Sequence, residues 1–248
     1  MSSVRRVRTP LGAVLAIVPV AGCVPAAATA EGRDIGALYV ATNVVAAVVG
    51  LFVAALITIA IVRNRRRRGD EELPTQTRGH LGLELLWTGI PALVVAVLFA
   101  ATVAVLVRVD STDATPGTNI EVTAFRWGWT FAYPDEGVSV SGFGVPGPEV
   151  VVPVDEPIEM TLRSADVIHS LAIPQFLFKR DVNPGHVNTF QFTVEEAGTY
   201  GGQCAEFCGI YHSQMPFVLR AVDRPAFDAW VAQRLAADGE SPLPTSSP

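Results

Sequence analysis

Fourteen residues, GQCAEFCGIYHSQM at 202–215, hold two cysteines, a histidine, a methionine and a glutamate. Cys204 and Cys208 are two of the three cysteines in a chain of 248 residues. In an oxidising compartment a C-x3-C pair can close a disulfide. That bridge would span a very small loop and leave its neighbours unused. His212 follows Cys208 by four residues, Met215 follows His212 by three, and His169 stands 35 residues before Cys204. Two thiolates, two imidazoles and a thioether make a soft, sulfur-rich donor set. A thioether is a rare zinc ligand, whereas thiolate, imidazole and a weak methionine together suit copper. One cysteine is enough for a mononuclear copper site; two cysteines, each able to bridge, point to two copper ions.

The elements that must position these donors begin at a membrane. Half of the residues are apolar, which is high for a water-soluble domain of this length. Arg5, Arg6 and Arg8 precede the short apolar run LGAVLAIVPV at 11–20, the pattern of a secretory signal. Two cleavage readings stand side by side. VAGC at 20–23 is similar to the lipobox of bacterial lipoproteins, which would remove residues 1–22 and make Cys23 the lipidated first residue of an exported segment, 23–34. Ordinary cleavage after Ala28-Thr29-Ala30 would instead discard Cys23.

Ile35 to Val62 is 28 residues without a charge, and Leu85 to Val107 is another 23. Each exceeds the roughly 20 residues that a helix needs to cross a bilayer core. Transmembrane helices are therefore expected over 35–62 and 84–108. The loop between them, 63–83, carries Arg63, Arg65, Arg66, Arg67, Arg68 and Arg78. Basic loops stay in the cytoplasm, which puts both termini and everything after residue 108 on the outer face of a bacterial plasma membrane. Residues 1–108 carry a net charge of +5 and residues 109–248 a net charge of −11. So acidic an outer domain repels nucleic acid and favours a basic partner.

From Asn119 onward the chain reads as short strands. IEVTAF (120–125), EVVVPV (149–154), IEMTLRS (158–164) and NTFQFTV (188–194) are β-branched and tend to alternate, with Gly-, Pro- and Asp-rich turns between them. This predicts an all-β sandwich over 109–235. Pro225 opens a short C-terminal helix with Phe227, Trp230, Val231 and Leu235 on one face. The tail at 236–248 has the composition of disorder.

CAEFCGIYHSQM resembles the CuA loop of cytochrome c oxidase subunit II, C-x-E-x-C-x3-H-x2-M. Four further stretches resemble the same family: DVIHS at 166–170, NPGHVN at 183–188, RWGWTFAYP at 126–134 and LELLWTGIPA at 83–92. The resemblance spans about residues 35 to 235. It implies a two-helix transmembrane hairpin carrying a cupredoxin-like sandwich, and a subunit that accepts electrons from cytochrome c for a haem in subunit I. There oxygen is reduced to water with proton pumping.

Residue by residue, the resemblance implies that Cys204 and Cys208 bridge the two copper ions of a CuA centre. His169 and His212 would cap them, Met215 would be the weak ligand, and Glu206 would supply its backbone carbonyl. The Glu206 carboxylate would bind a magnesium ion shared with subunit I. Trp127 would be where electrons enter, an exposed indole beside an acidic patch, with Trp129 as packing. Glu84 would lie at the mouth of a proton path. His186 stands where many relatives carry arginine, and His80 reads as a solvated loop residue. A quinol oxidase subunit II shares the architecture without the copper ligands. A membrane-anchored copper carrier shares the ligands but gives Trp127 and Glu84 no task.

Overall fold

The computed structural model describes residues 24–65, 76, 78–112 and 115–239. Cys23, Arg66, Arg67, Arg68 and the tail from 240 lie outside them. Two long helices come first: α1, Ala30–Arg63, and α2, Leu81–Val109. Both are long and apolar enough to cross a membrane, and neither is buried by the rest of the chain. Each starts a few residues earlier than the charge-free runs alone indicate, because polar caps extend them. Thr29 caps α1, its hydroxyl accepting from the Gly32 amide at 2.9 Å. His80 caps α2, its Nδ1 accepting from Leu83 at 3.1 Å, so this histidine has a structural task that the sequence did not announce.

Ten strands follow: β1 Thr118–Phe125, β2 Gly128–Tyr133, β3 Val138–Phe143, β4 Glu149–Pro153, β5 Pro157–Ser164, β6 His169–Ile173, β7 Phe178–Val182, β8 Asn188–Thr193, β9 Gly198–Cys204 and β10 Pro216–Val222. They form two five-stranded sheets, ordered β3-β2-β1-β5-β8 and β4-β10-β9-β6-β7. The β1–β5 and β4–β10 pairs are parallel and the others antiparallel. This is the expected cupredoxin-like sandwich. Its interior is filled by alternate strand residues, among them Trp129, Phe131, Phe192 and Phe217. The two sheets are also tied at their edge. The Tyr133 hydroxyl on β2 donates to the Val151 carbonyl at 2.8 Å and accepts from the Val151 amide at 3.0 Å on edge strand β4.

The last helix, α3, runs from Arg224 to Gly239. It lays Phe227 and Trp230 against Tyr133, while Leu235 is 48% exposed and does not share that buried face. The helix also continues past residue 235, where the composition suggested a disordered tail; Ala236, Ala237 and Asp238 are good enough continuations of an existing helix.

The hairpin is bolted to the sandwich where α1 begins and α2 ends. Ala28 and Thr29 are buried; Ala28 exchanges backbone hydrogen bonds with Gln175 and Glu195, and Thr29 bridges Val194. Arg33 pairs with Glu195 at 2.8 Å and Arg180 with Asp110 at 2.7 Å, while Arg108 and Asp34, 3.3 Å apart, tie the two helices to each other. Gly32 permits the contact, since a Cβ there would sit 2.7 Å from the Phe176 carbonyl oxygen.

Candidate metal centre

Two strand ends and one loop assemble the donors. β6 pairs with β9 so that Leu171 lies opposite Cys204. His169, two residues before Leu171, therefore points to the same inner face just beyond the end of β9. The chain then leaves β9 at Cys204, turns through 205–215 and returns as β10. The loop is closed by the Cys204 amide donating to the Met215 carbonyl at 3.2 Å, and it is tied to β6 by the Ala205 amide donating to Ser170 at 2.9 Å.

All six expected groups converge. Cys204 and Cys208 are free, with their sulfurs 3.9 Å apart, well beyond bonding distance. His169 Nδ1 is 3.9 Å from the Cys204 sulfur and His212 Nδ1 is 3.6 Å from that of Cys208. Met215 Sδ is 3.9 Å from Cys208, and the Glu206 carbonyl oxygen is 3.3 Å from Cys204. His169, Cys204, Cys208 and Met215 are buried; His212 is half-buried at the surface.

The electrostatics suit cations rather than a dithiol. Burial works against both thiolates. At Cys204 hydrogen bonds from His169 and from the backbone at Ser170 and Glu206 overcome burial, and its pKa falls. At Cys208 burial and then the neighbouring Cys204 charge push the pKa up. Burial thus favours one negative sulfur over two, and a bound cation would remove that conflict. The donor chemistry fits copper.

Three supporting residues escaped the sequence reading or were undervalued by it. Asp166, inside the quoted DVIHS, places Oδ1 2.8 Å from His169 Nε2, leaving Nδ1 to face the sulfurs. Burial alone would raise the Asp166 carboxyl, but hydrogen bonds from His169, Val167 and Arg126 bring it down to about 2. Trp129 is core, as expected, but its indole N–H also donates to the Met215 carbonyl at 3.2 Å. Tyr211 meets Trp127 edge-on, with ring centroids 4.9 Å apart.

Trp127 itself is half-buried rather than openly exposed, and its indole N–H is buried without a partner. It lies over Gly209, where an added Cβ would approach the indole to 3.2 Å. The cleft beside it is lined by Phe125, Arg126, Phe143, Gly144, Tyr211 and Gln214, with no carboxylate among them. Phe143, Val145 and Ile210 are each at least 75% exposed. The cleft beside this indole is thus mainly apolar, with Arg126 on its wall, and the anticipated acidic patch does not line it. The Glu206 carboxylate pairs with Lys179 at 3.5 Å. Glu84 lies far along the chain in the first turn of α2 and is exposed. His186 is exposed on the turn at 183–188 and takes no part in the cluster.

Comparison with known proteins gives two family matches: "Cytochrome C oxidase subunit II, periplasmic domain" over residues 146–222 and "Cytochrome C oxidase subunit II, transmembrane domain" over 18–105. A probable cytochrome c oxidase subunit 2 of Nocardia farcinica is 31% identical, over 90% of this chain and 79% of that protein. The cytochrome c oxidase subunit 2 of Alkalihalophilus pseudofirmus is 35% identical over 82% of this chain, which spans 58% of that longer relative. Among solved structures, the periplasmic domain of subunit II of the Bradyrhizobium japonicum oxidase is 34% identical. It covers 50% of this chain and 97% of its own, with a TM-score of 0.47.

Proposed function

The chain belongs to the cytochrome c oxidase subunit II family, and from that premise we propose that it is the subunit through which electrons enter a proton-pumping oxidase. Two copper ions held by His169, Cys204, Glu206, Cys208, His212 and Met215 would supply a one-electron relay between cytochrome c and the haem of subunit I. The observation that carries this reading is the pair of free sulfurs 3.9 Å apart with an imidazole Nδ1 beside each. This chain's own part is to hold those donors still. β6, β9 and β10 fix the ends of the loop, Asp166 sets the His169 tautomer, and the buried side chains around Cys204 exclude water. A scaffold that moves little on a change of charge opposes electron transfer little.

The basic loop after α1 favours an orientation with the sandwich outside. The donor would then dock over Trp127. Its apolar rim supplies short-range contact, while the −11 charge of residues 109–248 steers a basic haem protein from further away. Glu206 would offer one carboxylate to a magnesium ion, with the remaining ligands supplied by subunit I. Glu84, exposed at the cytoplasmic start of α2, would deliver protons towards that subunit.

The fold also bears on the two cleavage readings. Cutting after Ala30 would remove the buried Ala28 and Thr29, their backbone bonds to Gln175, Glu195 and Val194, and the cap of α1. Maturation at Cys23 keeps all of them, and supports a lipidated Cys23. The mass of the mature N-terminus distinguishes the two.

The copper assignment is tested on the purified full chain loaded with copper. Metal analysis should give two copper ions per chain, and electron spin resonance should show one unpaired electron shared by both. Cys204→Ser or Cys208→Ser replaces a bridging sulfur by a poorly bridging oxygen, so the shared-spin signal should vanish. A mutant that kept it would overturn the assignment.

A further inference from the structure

A cavity of about 690 Å³ opens between the segment before α1 and the outer half of that helix. Val24 and Ala27 form one wall, Gly36, Val40 and Val44 the other, and Leu177 of the sandwich closes the top. The helix residues recur at four-residue spacing and share one face of α1. From Gly36 to Ala47, the deepest residue of the lining, the helix rises about 16 Å, close to the thickness of one leaflet of hydrocarbon. The walls are almost wholly apolar. Of the polar side chains on the lining, Arg33 is engaged with Glu195 and the Asn43 amide donates to the Tyr39 carbonyl at 2.8 Å.

We propose that this groove seats an acyl chain carried by Cys23, so that the lipid anchor is packed against the protein's own first span. Val24 forms part of the wall, and Cys23 is its covalent neighbour in VAGC. A chain attached there is held at the groove by its own linkage, at an effective concentration that no free lipid matches. Gly36 has no side chain to fill the space beneath Leu177; a Cβ there would already come within 3.3 Å of the Leu177 methyl. A seated chain would also brace the segment 24–29 against α1, and that segment is what ties the hairpin to the sandwich. The proposal rests on lipidation of Cys23.

The test uses the full chain in its own membrane, in cells fed an alkyne-tagged fatty acid. A photo-crosslinking phenylalanine analogue replaces Val44 in the groove or, as a control, Ile57, which is 54% exposed further along α1. After illumination and digestion, mass spectrometry identifies what each position has captured. The expected product at Val44 is the tagged acyl chain joined to the peptide that begins at Cys23, in several-fold excess over Ile57. Acylated Cys23 with Val44 crosslinked only to free phospholipid or to another subunit overturns the seating and spares the lipidation. A mature N-terminus without acyl overturns both.

Discussion

Asp166 Oδ1 lies 2.8 Å from His169 Nε2, while Asp166 Oδ2 accepts from the Arg126 amide at 2.8 Å. One carboxylate thus joins a metal-facing histidine to the residue directly before Trp127. Asp166 fixes which imidazole nitrogen is turned to the sulfurs, and it anchors the loop that carries the indole.

Removing that carboxylate should loosen the metal without unfolding the domain. Partners of this kind typically contribute 10- to 100-fold in metal affinity. Asp166→Ala should therefore weaken copper binding by about one to two orders of magnitude, read by competition with a chelator of known affinity. Asp166→Asn keeps one hydrogen bond to the imidazole, and its loss should be smaller. Equal copper affinity in all three proteins would show that His169 is oriented by packing alone.

The donor loop was legible in the sequence because its spacing is local: the twelve residues from Cys204 to Met215 must close on themselves, and residue type states their chemistry. Asp166 was in plain view three residues before His169, but nothing in a sequence says which way a carboxylate turns. The strands divide along the same line. β1, β5 and β8 alternate and are β-branched. β9, GTYGGQC, is glycine-rich, and β7, FKRDV, is charged; both are strands because their neighbours pair with them. Gly202 in β9 makes the point, for any Cβ there would collide with the Phe217 ring across the sheet.

Tyr133 shows how an edge strand is satisfied from the opposite sheet. Its hydroxyl occupies both the donor and the acceptor of Val151, and all three groups are buried. Tyr133→Phe keeps the ring and strands two backbone groups. The expected cost is about 2 kcal/mol, measured as a shift in the denaturation midpoint of the outer domain within the full chain. A change near zero would mean that water replaces the hydroxyl.

Glu136, at the turn after β2, carries a carboxylate oxygen that is buried without a partner. Burial, followed by the nearby Asp135 and Asp228 charges, raises its pKa against the opposing pull of its own amide and Arg224. The folded chain therefore keeps a proton there that the unfolded chain releases. The resulting penalty is absent at low pH, grows as pH rises from the ordinary carboxylate value through the folded one, and is complete above it. Glu136→Gln should raise the unfolding temperature at neutral pH and leave it nearly unchanged well below the ordinary carboxylate value, at about pH 3, where this carboxyl is protonated in folded and unfolded chain alike. Equal gains at both values would trace the effect to something other than the charge.

Trp127 offers the cleanest separation of docking from metal binding. It meets the loop at Gly209 and Tyr211 and is itself none of the six donors. Trp127→Ala should leave copper content and the shared-spin signal intact. Oxidation of reduced cytochrome c by the assembled oxidase should slow by about 10- to 100-fold, the range of a central interface anchor. Because the rim is apolar, the residual rate should keep the salt dependence of the parent protein, the charges that steer the donor being untouched. A Phe143→Ser change, at a side chain 82% exposed on the same rim, should weaken donor binding more than it lowers the maximal rate. If Trp127→Ala left both rate and affinity unchanged, electrons would have to enter elsewhere, and the exposed Phe207 beside His212 is where that route would be sought.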